Sequence, residues 1–270
     1  GMLIAGSFIL ILASTFSWQL SFAVMALLML ATALYSLYAA PIEAALPQQK
    51  ISPQKGMPLM FSGCKALLNR PEAKAILSIA ILYPLAENLL LFSLLPTFFI
   101  QHLHCPINNI ATYYSGLCIF MSILGSWIAK ELLRKFLLHR VMKACLLSIF
   151  LIILAFIVIL SILTLSNMSP YAFGLLAACY FCHGISTSSL QYFFILHCEK
   201  NHTAEQYAYL TAISSISRYL SGPLIGSLIL YYGWSSLFFT SAIAVLPALT
   251  MLQNKGIKEN LNHLFLESSK

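Results

Sequence analysis

Aspartate is absent from this chain; all eight acidic residues among 270 are glutamate. That removes the Asp-rich motifs with which membrane transferases hold Mg²⁺. No P-loop, H-E-x-x-H or G-x-S-x-G pattern occurs either, so no enzyme activity, metal site or cofactor is expected. Charge of either sign is scarce, at 9% of residues against about a quarter in a soluble domain. With 60% hydrophobic residues gathered in long runs, a soluble globular fold is excluded and membrane spans are expected. The first apolar run lacks a basic leader segment and does not read as a secretory signal. Seven cysteines, several of them inside apolar runs, give no disulfide framework. The net charge of +7 would suggest a nucleic-acid partner in a soluble protein. Here the placement of the cations explains it, and no nucleic-acid partner is expected.

What is present is an all-α pattern of eight membrane helices, at 2–16, 19–40, 75–101, 109–129, 141–164, 169–194, 206–231 and 234–252. The first is shorter than the roughly 20 residues a span needs. Of the fifteen Lys and Arg residues, all but Arg218 fall in the loop 41–74, the turn near 130–143, the turn at Lys200 and the tail from Lys255. The alternate connections, near Trp18, His102–Pro106, Ser166–Pro170 and Gly233, contain none. By the excess of cations on the cytoplasmic side, these basic segments and the C-terminus face the cytoplasm.

The first two helices resemble the last two. Ile4-Ala5-Gly6-Ser7-Phe8-Ile9-Leu10, followed by Trp18, matches Leu224-Ile225-Gly226-Ser227-Leu228-Ile229-Leu230, followed by Trp234. The pairs lie six helices apart in the same orientation, and parallel six-helix repeats resemble the architecture of the major facilitator superfamily. The resemblance implies a partial facilitator fold, eight helices of an expected twelve. Residues 1–40 would close the N-terminal half, 41–74 form the central cytoplasmic loop, 75–252 the C-terminal half and 253–270 a cytoplasmic tail. Helices 1–4 would then be absent, and Gly1 preceding Met2 adds to the expectation of an excerpt. Within the loop, Met57–Arg70 is expected either as a short amphipathic helix or as a solvated basic linker.

Polar residues are concentrated in four helices of the C-terminal half, while 19–40, 141–164 and 234–252 are nearly all apolar. Tyr83, Glu87 and Asn88 lie in 75–101, and Asn109 to Ser115 open 109–129. Tyr180, His183, the Ser/Thr run 186–189 and Gln191 lie in 169–194; Ser214, Ser215, Ser217 and Arg218 lie in 206–231. Arg218 has no charged neighbour within ten residues on either side, and Glu87 is equally isolated. A central Arg costs roughly 2.5–3.5 kcal/mol to insert. One buried cation and one buried anion in a helix bundle point to a solute or proton path. The simpler alternatives are a structural Glu87–Arg218 pair and hydroxyls acting as interhelical glue. Gly222, Pro223 and Gly226 form a close-packing and kinking pattern suited to gating. Cys179-Tyr180-Phe181-Cys182-His183 matches a haem-attachment pattern, but at the centre of a span the attachment machinery cannot reach it.

The run His202-Thr203-Ala204-Glu205-Gln206-Tyr207-Ala208, continuing to Ser217-Arg218-Tyr219-Leu220-Ser221-Gly222-Pro223, resembles the eleventh helix of AmpG-type muropeptide permeases. Gly233-Trp234 and the internal Pro247 are also similar to that family, as are Gly1–Gly6 with Trp18-Gln19. The resemblance implies a multi-pass protein of the bacterial cytoplasmic membrane that imports anhydro-muropeptides with protons by alternating access. Arg218 would attract substrate carboxylates and Glu87 would couple protons, with Tyr83, Asn88, His183, Gln191, Ser214 and Ser217 along the path. Glu205 departs from the family pattern, which more often has a neutral residue there. Two alternatives stay open: a relative carrying another small organic anion, and a non-transporting remnant or split-gene product.

Overall fold

In the computed structural model, the described residues are 17–44, 62–91, 95–110, 113, 116–162, 165–199 and 202–253. The expected helix 2–16 and the tail beyond Gln253 lie outside them. Every described element is helical: α1 (Trp18–Ala44), α2 (Ser62–Leu68), α3 (Ala73–Leu91), α4 (Leu95–Gln101), α5 (Ile107–Ile110), α6 (Cys118–Lys135), α7 (Leu138–Ile162), α8 (Leu165–His197), α9 (Thr203–Tyr232) and α10 (Ser235–Gln253).

Several boundaries differ from expectation for local reasons. Within the expected stretch 75–101, α3 and α4 are described on either side of residues 92–94. α6 runs on to Lys135 and ends where Phe136 turns extended; Arg134 and Lys135 in its last turn complement the helix dipole. α9 ends at Gly233, whose φ of 78° suits glycine and lets its N–H reach the Ile229 carbonyl at 2.9 Å. Part of the central loop is helical at α2. Three described helices are long and apolar enough to cross a membrane: Leu138–Ile159, Pro170–His197 and Ser235–Gln253. The count of eight is therefore not established by length and hydropathy. α9, at 30 residues, misses because its cavity-facing serines and Arg218 lower its hydropathy.

α8 packs on α6 and α7, while α3 packs on α9 and α10, and α7 against α10 joins the two groups. At one end, Phe98 lies edge-on to Trp234 (5.5 Å between ring centres) and Phe238 (5.4 Å), and Phe238 stacks on Phe156. At the other, Arg70 ion-pairs with Glu199 at 2.5 Å and donates to the His197 carbonyl at 2.7 Å. The start of α3 is thus tied to the end of α8. Among the described residues, α1 is exposed along most of 19–35.

Candidate functional site

Three helices converge on a polar cavity of about 180 Å³. α3 presents Glu87 and Asn88, one turn beyond Tyr83, because residues four apart share a helix face. α8 presents His183, Thr187 and Gln191, a strict four-residue spacing. α9 presents Thr211, Ser214, Ser215 and Arg218, at i, i+3, i+4 and i+7. Each helix turns a polar stripe toward the cavity.

Glu87 is 3% exposed, and its carboxylate is shared between two partners on α8. Oε2 faces His183 Nδ1 at 3.1 Å, and Oε1 accepts from the Ser186 hydroxyl. Ser186 in turn meets the Tyr83 hydroxyl, so phenol, alcohol and carboxylate form a continuous hydrogen-bonded row. Thr187 Oγ1 lies 3.3 Å from His183 Nε2 and 3.5 Å from its Nδ1. A carboxylate taken out of water is tolerable only with such partners. An imidazole and a carboxylate in direct hydrogen-bond contact can share a proton, held at either partner. Beside it, Asn88 Nδ2 donates to Ser217 Oγ at 3.3 Å, tying α3 to α9.

The structure brings the sequence-derived residues to one place, with two differences. Glu87, Asn88, His183, Gln191, Ser214 and Arg218 line the cavity, while Tyr83 and Ser217 are buried directly behind it. Arg218, expected as a buried cation, is exposed at the wall. The carboxylate partner of Glu87 is His183 rather than the arginine considered from sequence. Thr187, Thr211 and Ser215 were not singled out as site residues; their spacing from His183 and Arg218 carried that signal. The haem-like run lies in unbroken helix, with its His183 engaged by Glu87.

The gating pattern fares differently. α9 passes through Pro223, which is exposed, and a Cβ built at Gly222 would meet no atom of another described element within 4 Å. Gly226 is half-buried. Close approach occurs instead between α6 and α8. There a Cβ on Gly125 would run into the Phe181 carbonyl, and one on Gly184 into the Ser122 carbonyl. Ser126 Oγ bridges the Ser122 and Gly184 carbonyls at 3.0 and 3.2 Å.

Comparison with known proteins fits this geometry. The family described as Major Facilitator Superfamily matches residues 1–221. The "Anhydromuropeptide permease" of Escherichia coli K12 is 26% identical over 263 residues, covering 93% of this chain and 50% of the relative. A "Putative transporter AmpG 2" from Rickettsia typhi is 25% identical over 259 residues, covering 93% and 59%. Its counterpart from Rickettsia prowazekii is 24% identical over 257 residues, covering 93% and 59%. The chain spans about half the length of the Escherichia coli relative and somewhat more of the rickettsial ones. With a polar cavity set among apolar helices and a family match across most of its length, the chain belongs to the major facilitator superfamily.

Proposed function

We propose that the chain serves in proton-coupled import of cell-wall-derived anhydro-muropeptides across a bacterial cytoplasmic membrane, with its C-terminus inside. The observation that carries this reading is the placement of Glu87 and His183, hydrogen-bonded to each other, on the wall of a cavity that Arg218 also lines. A proton entering the cavity loads the Glu87–His183 pair. Arg218 offers a planar fork of donors to a substrate carboxylate, and the hydroxyls and amides around it suit sugar and peptide groups. The name of the Escherichia coli relative supports the cargo. α9 is exposed at Ile216, Tyr219, Leu220 and Leu224, which leaves room for a second wall and for alternation between faces. The division into 1–40, 41–74, 75–252 and 253–270 belongs to the same reading.

The test is uptake into proteoliposomes of an anhydro-disaccharide tripeptide under an imposed proton gradient. Glu87→Gln is expected to abolish accumulation while retaining exchange of labelled for unlabelled substrate at equal pH. Accumulation by Glu87→Gln at the wild-type level would remove proton coupling at this residue. Absence of muropeptide binding to the wild-type chain would remove the cargo.

A further inference from the structure

A second cavity lies at the turn between α6 and α7, lined from α8 by Phe181, Cys182 and Ile185 rather than by His183, Thr187 and Gln191. Both helices pack on α8 but hardly on each other, which leaves a crevice of about 340 Å³. Its walls are apolar: Leu132 and Phe136 on one side, Val141, Ala144 and Cys145 on the other, Ile185 at the back. It opens outward, since Ala144 is exposed and Phe136 and Leu147 are 50% and 42% exposed. Val141, Ala144, Cys145 and Ser148 form one stripe of α7 at i, i+3, i+4 and i+7, within the apolar span Leu138–Ile159. The crevice therefore starts at the membrane surface and descends beside hydrocarbon.

Its mouth is cationic. Lys135 and Arg140, both exposed, bracket Phe136 at the rim, and Arg140 stands one turn before Ala144 at the edge of the same stripe. Lys130 and Lys143 add to the field. The acid of this region, Glu131, is held by Arg134 at 3.4 Å, and no other acidic residue occurs before Glu199. An apolar slot in the bilayer under an uncompensated pair of cations matches one kind of molecule: an acyl chain below, a phosphate monoanion above. We propose that this crevice is a binding site for an anionic phospholipid, with one acyl chain between α6 and α7 and its phosphate on Lys135 and Arg140. A soluble anion has no use for the slot, and a zwitterionic lipid brings no net charge to the mouth.

The test is native mass spectrometry of the intact chain from mild detergent, with dioleoyl-phosphatidylglycerol or dioleoyl-phosphatidylcholine added. We expect retention of one phosphatidylglycerol, about ten-fold above phosphatidylcholine, given two lysine- or arginine-scale attractions at the surface. Lys135→Gln with Arg140→Gln should erase the preference. Ala144→Phe, which fills the slot without altering charge, should lower phosphatidylglycerol retention about as far. Helicity by circular dichroism identifies any variant that fails to fold, and Ala144→Leu then replaces Ala144→Phe. Equal retention of the two lipids by wild type would overturn the site. Wild-type retention by Ala144→Phe would reduce it to a diffuse surface attraction and overturn the slot. A doubled mass lost in Ala144→Phe would assign the crevice to a second copy of the chain instead.

Discussion

The side-chain amide of Gln206 donates to the backbone carbonyl of Gly63 at 3.1 Å, across 143 residues of sequence. The same amide accepts from the Glu199 N–H at 2.8 Å, and Glu205 next to it accepts from the Gly63 N–H at 3.1 Å. One short helix of the central loop is thereby pinned to the junction of α8 and α9. Glu205, unusual against the family pattern, has a job here. Gln206 is fully buried, so Gln206→Leu leaves two backbone groups without partners, at a cost of about 1–3 kcal/mol. Gln206→Glu keeps the acceptor and loses the donor, so it is expected to fall between. Thermal unfolding in detergent, followed by fluorescence, ranks the three.

Tyr83 reaches Glu87 only through Ser186. Tyr83→Phe and Ser186→Ala should each slow proton-driven uptake, and the double variant should be no slower than Ser186→Ala alone. Residues acting in series lose their coupling together. Additive losses in initial uptake rate would place Tyr83 in an independent role.

Arg218 lines the cavity and is exposed, so its replacement should affect ligand more than fold. Arg218→Ala is expected to weaken binding of a carboxylate-bearing muropeptide by about 1.5–3 kcal/mol, the range for hydrogen bonds to charged groups. Arg218→Lys keeps the charge without the bidentate fork and should recover part of that. Isothermal titration with substrate, beside the same substrate esterified at its carboxylates, separates charge recognition from packing.

Glycine positions divide into those with neighbours and those without. Gly184→Ala and Gly125→Ala each drive a methyl into a backbone carbonyl of the facing helix, which cannot step aside as a side chain would. A loss of about 1–3 kcal/mol is expected for each. Gly222→Ala meets no other described element and should be neutral, or gain up to about 1 kcal/mol from helix propensity. The fraction of protein surviving a heat step before size-exclusion chromatography reads all three.

The sequence discloses the stripes but not their pairing. Tyr83 and Glu87, or Ser214 and Arg218, stand on one face by spacing alone, and isolated charges in apolar runs draw attention to themselves. Which stripe meets which depends on contacts between helices remote in the chain. Glu87 could therefore be assigned to Arg218 on charge, although the nearer cation-forming group is His183 on α8. Gly222 and Gly226 carry the spacing associated with close packing, as many glycine pairs do, but among the described residues nothing stands against Gly222. At Gly125 and Gly184 a facing helix is there, and no spacing within either segment announces it. The loop's attachment through Gln206 was equally hidden, since a glutamine opening an amphipathic helix looks like ordinary solvated surface.

The interlock of α6 with α8 bears on how any alternation of the cavity proceeds. Two helices whose backbones touch at Gly125 and Gly184, with Ser126 bridging them, have no room to slide past one another. They behave as a single stiff plank carrying His183 and Gln191. The cavity can then change shape only by moving α3 or α9 against that plank. Every such displacement stretches the row from Tyr83 through Ser186 to Glu87, or the bond between Asn88 and Ser217. Loading the carboxylate and deforming the cavity would be one mechanical event, geared by a surface that itself stays still.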